Sequence, residues 1–302
     1  MTALDDLSTL VRTTLEAAAP SVVAIGRDGR GSGFVVAPGR VVTNAHNLRD
    51  RTTSVRFADG RTVQGTVSGS DVDGDLVVLD VDSGDAAVLP WSDGAVSAGD
   101  VVVAVTAGRQ RLRATWGQVT GAERGFRGPR GRSIAGAIEH TAPSPAGSSG
   151  APVFDRSGKV VGINTHRVEH GFYLARAADA DLRQRIAAMS EGRTYERAQL
   201  GVALAPPHVA ARLRRSVGLP ERDGLLVRGV VDESPAAAAG IREGDLLVRA
   251  GDRDLVTTDD LFAVLADVAP GGELAVTLVR GTDELTVTVV WPRSTATDAA
   301  DA

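Results

Sequence analysis

Residues 145–152 read Pro-Ala-Gly-Ser-Ser-Gly-Ala-Pro. Two serines stand between two glycines, in a short turn with a proline at each end. Such a turn can aim a hydroxyl outward and leave backbone N–H groups unpaired beside it. Acyl transfer needs both, a nucleophile and donors for the oxyanion that forms. Gly, Ser and Pro also build ordinary surface turns, so the partners of a reactive serine must be sought elsewhere in the chain.

A serine nucleophile needs a base, and the base needs an acid to orient it. There are five histidines: His46, His140, His166, His170 and His208. His46 stands in Val41-Val-Thr-Asn-Ala-His46-Asn47, where a valine-rich run passes into a loop. That position projects an imidazole from a rigid element. Asp75 lies in Ser70-Asp-Val-Asp-Gly-Asp75-Leu-Val-Val-Leu79, at the head of an apolar run. A carboxylate there is costly to bury unless it is hydrogen-bonded, and the acid of a triad occupies such a place. A calcium loop over Asp71, Asp73 and Asp75 fails. Its sixth position would be Leu76 where glycine is required, and its twelfth Asp82 where glutamate is. No metal or cofactor is expected.

The order His46…Asp75…Ser149 is that of the chymotrypsin barrels; subtilisins and α/β-hydrolases use other orders. Gly147–Ala151 approaches the Gly-x-Ser-x-Gly elbow of the hydrolases. Ala151 replaces the last glycine, however, and a hairpin pattern follows in place of a helix.

The chain of 302 residues is long enough for two domains, and at 43% apolar it can bury real cores. Thirty-five glycines and regular short valine-rich runs predict a largely β protein, a barrel or sandwich. The net charge of −5 argues against nucleic-acid binding, and no aromatics interleave Arg124, Arg127, Arg130 and Arg132, which read as a solvated loop. With no cysteine, disulfides and thiolate metal sites are excluded. Gly29-Arg-Gly31-Ser-Gly33 is not a phosphate loop, because a strand follows it.

In chain order, 3–18 reads as a helix and 21–26 as a strand, with a glycine-rich turn over 26–33. Strands follow at 34–37, 41–44, 53–57, 62–68, 76–81, 101–105, 114–120 and 135–141. A hairpin is predicted over 153–164, a strand at 171–175 and a helix over 178–189. Residues 190–198 read as a linker. Beyond it the pattern changes to short strands at 200–204, 225–231, 245–250, 273–280 and 284–291. Helices fall at 209–217, from Ser234-Pro235 to Gly240, and from about 258 to 268. Residues 293–302 are small and polar and are expected to be disordered.

The residues as a set resemble the HtrA family. Gly31-Ser-Gly33-Phe34 with Val42-Thr-Asn-Ala-His46 is similar to that family's Gly-Ser-Gly-Phe…Leu-Thr-Asn-x-His. Asp75-Leu-Val-Val-Leu79 resembles Asp-Leu-Ala-Val-Leu, Gly147-Ser-Ser-Gly-Ala-Pro152 resembles Gly-Asn-Ser-Gly-Gly-Pro, and Val161-Gly-Ile-Asn-Thr165 resembles Ile-Gly-Ile-Asn-Thr. The resemblance implies two six-stranded antiparallel β-barrels over 20–189, after an N-terminal helix in 1–19, and an α+β PDZ domain over 199–292. It implies a serine endopeptidase of unfolded polypeptides, with Ser149 as nucleophile, His46 as base and Asp75 as its orienting acid. The oxyanion hole is expected from Gly147, Ser148 and Ser149, and the substrate pocket from Ile163, Asn164 and Thr165. Pro143 lies six residues before Ser149, where a trypsin-type pocket would have aspartate, so small or medium apolar P1 residues are expected. The stretch Glu139–Ala146 departs from the family pattern, as do Ser148, Ala151 and Asn47. A non-catalytic or latent peptide-binding scaffold is therefore the alternative.

The second half resembles the family's PDZ domain in Gln199-Leu-Gly-Val202, Ser234-Pro-Ala-Ala-Ala-Ala-Gly-Ile241 and Gly244-Asp-Leu-Leu247. Leu200, Gly201 and Val202 are expected to hold a peptide's C-terminal carboxylate, with Leu261 and Leu265 on the opposite wall. A homotrimer is among the assemblies the resemblance implies. The first sixteen residues lack a basic segment followed by an apolar core, and no run is long enough to span a membrane. Both point to a cytoplasmic chain, in contrast to the extracytoplasmic members of the family.

Overall fold

The computed structural model describes residues 2–292 except 109–110, 128–132, 170, 196–197, 217, 219–221, 267 and 269–270. The tail from 293, His170, Arg130 and Arg132 therefore lie outside the described residues. The chain divides into two compact units, Met1–Glu196 and Arg197–Ala302.

The first unit opens with helix α1 (Ala3–Ala18). Its start is closed by a capping box: the Thr2 hydroxyl accepts from the Asp5 N–H, and the Asp5 carboxylate accepts from the Thr2 N–H. Leu10, Val11 and Leu15 recur on one face and pack against the core of this unit.

Six strands follow: β1 (Val22–Ile25), β2 (Gly31–Ala37), β3 (Arg40–Thr43), β4 (Thr52–Arg56), β5 (Thr62–Asp71) and β6 (Leu76–Asp80). They close into a barrel in the order β1-β2-β3-β6-β5-β4. A second six, β7 (Val101–Ala107), β8 (Leu112–Arg127), β9 (Ser133–His140), β10 (Pro152–Phe154), β11 (Val160–Glu169) and β12 (Phe172–Ala177), closes in the order β10-β11-β12-β9-β8-β7. Every pairing within both barrels is antiparallel. Helix α2 (Ala180–Ser190) ends the run, capped by Asp179, whose carboxylate accepts from the Leu182 N–H at 2.7 Å.

The valine runs are continuous because both faces of these strands are buried. Successive side chains point to opposite faces. In β6, Val77 and Leu79 fill the first barrel with Val23, Ile25, Val35 and Val41, while Leu76 and Val78 face the core shared with the second barrel. In β7, Val102 and Ala104 fill the second barrel, and Val103 and Val105 join Phe34, Phe154 and Leu182 outside it. Phe34, Phe154 and Leu182 are each at most 1% exposed.

One expectation of local structure changes: the turn expected over 26–33 is shorter, since β2 already begins at Gly31. Within the segment 190–198 the Tyr195 N–H donates to the Ser70 carbonyl at 2.6 Å, and the Arg185 guanidinium lies 5.1 Å over the Tyr195 ring.

The second unit contains β13 (Val202–Leu204), α3 (Pro207–Ser216), β14 (Leu225–Val230), α4 (Pro235–Ala238), β15 (Leu246–Ala250), β16 (Arg253–Asp254), α5 (Thr258–Ala266), β17 (Glu273–Arg280) and β18 (Asp283–Val290). The sheet order is β13-β14-β15-β17-β18, with β16 on β15, so β13 is an outer strand. Ser234 caps α4 by accepting from the Ala237 N–H, with Pro235 at the first helical position. Leu200, Val227, Leu247, Leu261, Leu265, Val276 and Trp291 share one core. Asp245, 1% exposed, is satisfied by two 2.8 Å hydrogen bonds from the Arg280 guanidinium.

Candidate active site

His46 and Asp75 meet because β3 and β6 are neighbours, with Thr43 opposite Val77. His46 lies on a single 3₁₀ turn (Ala45–Asn47) just after β3, and Asp75 lies just before β6. Asp75 is fully buried and sits at φ +57°, a conformation that aspartate tolerates better than most residues. Its main-chain carbonyl accepts from the Asn44 side-chain amide (2.9 Å) and the Ala45 N–H (3.2 Å). Its carboxylate accepts from the His46 main-chain N–H (3.1 Å) and the Thr165 hydroxyl (3.2 Å), and it meets His46 Nδ1 at 2.8 and 3.0 Å. An ionised carboxylate only accepts, so Nδ1 carries the proton and Nε2 keeps its lone pair. Of its neighbours Asp73 and Asp71, the latter turns away: its carboxylate accepts from the Gly74 N–H at 2.7 Å and faces Arg185 at 3.5 Å.

Ser149 belongs to the second barrel, in the turn just before β10. Gly147 and Gly150 take the left-handed conformation at φ +90° and +86°; Ala151 does not, which is why alanine is accepted there. Gly150 could be no other residue. A Cβ on it would lie 2.1 Å from the Ser32 carbonyl oxygen.

The turn is gripped from the first barrel. The Ser149 carbonyl accepts from the Ser32 N–H (2.8 Å) and from the Asn47 side-chain amide (2.9 Å), and the Gly147 carbonyl accepts from the Ser32 hydroxyl (2.7 Å). On its other side the Gly150 N–H donates to the Asn164 carbonyl at 2.7 Å. Among the described residues the N–H groups of Gly147 and Ser149 have no hydrogen-bond partner. That of Ser148 does, donating to the Pro145 carbonyl at 3.1 Å, with the Ser148 hydroxyl donating to the same oxygen. Ser148 therefore offers no donor to an oxyanion, which corrects the expectation of three. The Ser149 hydroxyl donates to the Thr165 carbonyl at 3.2 Å.

A pocket of about 220 Å³ opens beside Ser149, lined by Ser144–Ser149, Asn164, Thr165 and Tyr173. Ile163, expected in its wall, is fully buried in the core shared by the barrels with Phe34 and Phe154, because alternation along β11 turns it away. Pro143 is exposed and contributes nothing to the wall; its neighbour Ser144 does. Beneath lies His140, which is fully buried. Its ring stacks on Tyr173, with centroids 5.9 Å apart, and its Nε2 meets Asn164 Oδ1 at 2.8 Å.

Burial holds the His140 imidazole below its ordinary pKa of 6.5, the Asn164 contact opposing this in part. The depressed folded value means that the unfolded chain takes up the proton first as pH falls. Stability is whole above about 6.5 and is lost below it as pH falls toward the folded pKa. Replacing His140 by glutamine is expected to flatten the fall of melting temperature between pH 7.5 and 5.5, read by thermal denaturation at each pH.

Asn47, Ser32 and His140 are the residues that motif reading misses. Asn47 had a signal, a polar side chain where an apolar one is expected. Its amide bridges Thr43 Oγ1 and the Ser149 carbonyl, both at 2.9 Å, and it is 4% exposed. Gly31 makes the room, since a Cβ there would fall 2.2 Å from the Asn47 side chain. Asn47→Leu is expected to lower kcat/KM on casein by roughly 10–100-fold, because the nucleophile's backbone loses one of its two anchors.

In the second unit Gly201 is at φ +80° and a Cβ on it would meet Ser234 Cβ at 2.3 Å; Val202 begins the outer strand β13, opposite Val230. Leu200, Leu261 and Leu265 are 3%, 2% and 4% exposed. They pack the core behind the expected groove and offer a peptide almost no surface, because i and i+4 on α5 both turn inward.

Residues 31–163 match the trypsin-like peptidase domain family and residues 199–290 the PDZ domain family. The chain is 32% identical over 277 residues to a probable periplasmic serine endoprotease DegP-like of Brucella suis biovar 1 (strain 1330), covering 86% of this chain and 52% of that protein. It is 30% identical over 307 residues to the serine protease HTRA2, mitochondrial, of Bos taurus, covering 92% and 66%. The chain thus spans about half the length of the DegP-like relatives it matches. Among solved structures it resembles the HtrA-type protease AlgW with decapeptide (TM-score 0.70, 22% identity, 94% of this chain and 98% of that one). It also resembles the serine endoprotease from Yersinia pestis (TM-score 0.67, 24% identity, 93% and 96%).

Proposed function

Since the chain belongs to the HtrA family of serine proteases, we propose that it is an active endopeptidase of unfolded polypeptides, working through an acyl-enzyme at Ser149. The single observation that carries this reading is the state of the 145–152 turn. The Ser149 carbonyl is anchored twice, and the two N–H groups that an oxyanion needs stand unpartnered among the described residues beside it.

In the proposed mechanism the Ser149 oxygen attacks the scissile carbonyl carbon and its proton passes to His46 Nε2, the nitrogen that carries the lone pair. The negative charge on the carbonyl oxygen is met by the Gly147 and Ser149 N–H groups. Asp75 stabilises the imidazolium through Nδ1–H. His46 then gives the proton to the leaving amine, and a water, deprotonated by the same nitrogen, releases the acyl group.

The second unit is proposed to bind C-terminal peptides as an added strand along β13. Its place at the edge of the sheet supports this, as does Gly201 just before it. Among the described residues no helix is long and apolar enough to cross a membrane. The relatives' names are periplasmic or mitochondrial and lend no support to the expected cytoplasmic site, which fractionation of the source cells decides.

Casein turnover by the purified chain tests the proposal. Cleavage is expected without any added peptide, because the turn already presents its donors. An absence of cleavage both with and without C-terminal peptide contradicts it.

A further inference from the structure

We propose that the pocket beside Ser149 selects an uncharged carboxamide side chain, glutamine or asparagine, at P1, and that His140 is the positioning residue that sets this preference. The inference rests on the protease reading above and departs from the small or medium apolar P1 expected from Pro143.

The lining residues decide the class. None of Ser144–Ser149, Asn164, Thr165 and Tyr173 carries a full charge at neutral pH, and none is Leu, Ile, Val, Met or Phe. Among the described lining residues lysine or arginine would find no carboxylate, aspartate or glutamate no cation, and an aliphatic side chain only Pro145, Ala146 and the Tyr173 ring as apolar partners.

The hydrogen-bond inventory then narrows it. Asn164 Oδ1 can only accept, so His140 Nε2 is the protonated nitrogen in their 2.8 Å contact. His140 Nδ1 is then a bare lone pair, buried and without a partner among the described residues. Protonating it would place an N–H where nothing accepts, so the ring stays neutral and keeps one tautomer. That donor pins the Asn164 carboxamide one way round, with Oδ1 toward His140 and Nδ2 toward the Ser144 hydroxyl at 3.3 Å. Ser144 in turn donates to the Ala142 carbonyl at 3.2 Å. Asn164 and Ser144 are 2% and 9% exposed. Of these two side chains, one N–H on Asn164 and one lone pair on Ser144 are left for a ligand, a donor and an acceptor 3.3 Å apart in the pocket lining. A carboxamide satisfies both. A carboxylate only accepts, an ammonium only donates, and an aliphatic side chain leaves both groups dry and unpaired.

The test is a series of fluorogenic peptides that differ only at P1, with glutamine, asparagine, glutamate, alanine, valine, leucine and lysine. Glutamine or asparagine is expected to exceed valine, leucine, glutamate and lysine in kcat/KM by at least about tenfold. His140→Phe keeps a ring against Tyr173 but loses the donor, and should lower the glutamine-to-alanine ratio by about tenfold. His140→Gln restores a donor and should restore the ratio. Should His140→Phe not fold, Ser144→Ala must lower the same ratio. A preference for valine, leucine, glutamate or lysine overturns the inference, as does a ratio indifferent to these substitutions. Fluorophosphonate labelling of the same samples separates the two failures. If Ser149 is labelled and P1 choice is apolar, only the pocket assignment falls. If Ser149 is neither labelled nor active on any peptide, the protease reading falls with it.

Discussion

Ser149→Ala is expected to lower casein turnover roughly ten-thousandfold or more, with the melting temperature shifted by no more than a few degrees. The size follows from chemistry. Without the hydroxyl no acyl-enzyme forms, and what survives is the effect of binding and oxyanion donors on attack by water. The small stability change follows from structure, because the turn is held by its backbone. Ser32 and Asn47 bind the Ser149 carbonyl, Ser32 binds the Gly147 carbonyl, and Asn164 receives the Gly150 N–H. The lost side chain forfeits one 3.2 Å hydrogen bond to Thr165. Ser148→Ala makes the contrast. That hydroxyl is tied to the Pro145 carbonyl, so turnover should persist.

Asp75→Asn is expected to be nearly as severe, roughly ten-thousandfold in kcat, with the fold retained. Asparagine fits the left-handed backbone at φ +57°. Its carboxamide oxygen can stay at the Oδ1 place and keep the His46 main-chain N–H, which puts the NH2 at the Oδ2 place, where the carboxylate now accepts from Nδ1 at 2.8 Å and from the Thr165 hydroxyl. To avoid donor facing donor the imidazole must move its proton to Nε2, the atom that has to accept from Ser149. Steady-state kinetics on casein or a fluorogenic peptide checks this. A loss confined to KM would mean that Asp75 acts on substrate binding and not on the imidazole.

The barrels are legible in the sequence because β1, β3, β6 and β7 are buried on both faces and appear as valine-rich runs, spaced by polar turns. Legible too is the pairing of His46 with Asp75, since each sits at the border of such a run and the borders of β3 and β6 adjoin. What escapes is set by contacts far apart in the chain. The opening of β2 at Gly31 looks like a turn until Asn47 is seen filling the space of its missing Cβ. Ser148 shares a turn with Ser149, and only the bond to Pro145 tells their N–H groups apart. Ile163 sits next to Asn164, and alternation sends one to the core and the other to the pocket. His140 is one of five histidines and has no motif around it. The role proposed for it rests on two neighbours distant in the chain, Asn164, 24 residues on, and the stacked ring of Tyr173.

The central claim is that the 145–152 turn is assembled for acyl transfer with Ser149 as its nucleophile. Fluorophosphonate treatment of the purified chain, without added peptide, followed by intact mass and peptide mapping, tests it most directly. A single adduct on Ser149, absent from Ser149→Ala, is the predicted result. An adduct on Ser148, or none on a folded chain, would contradict it.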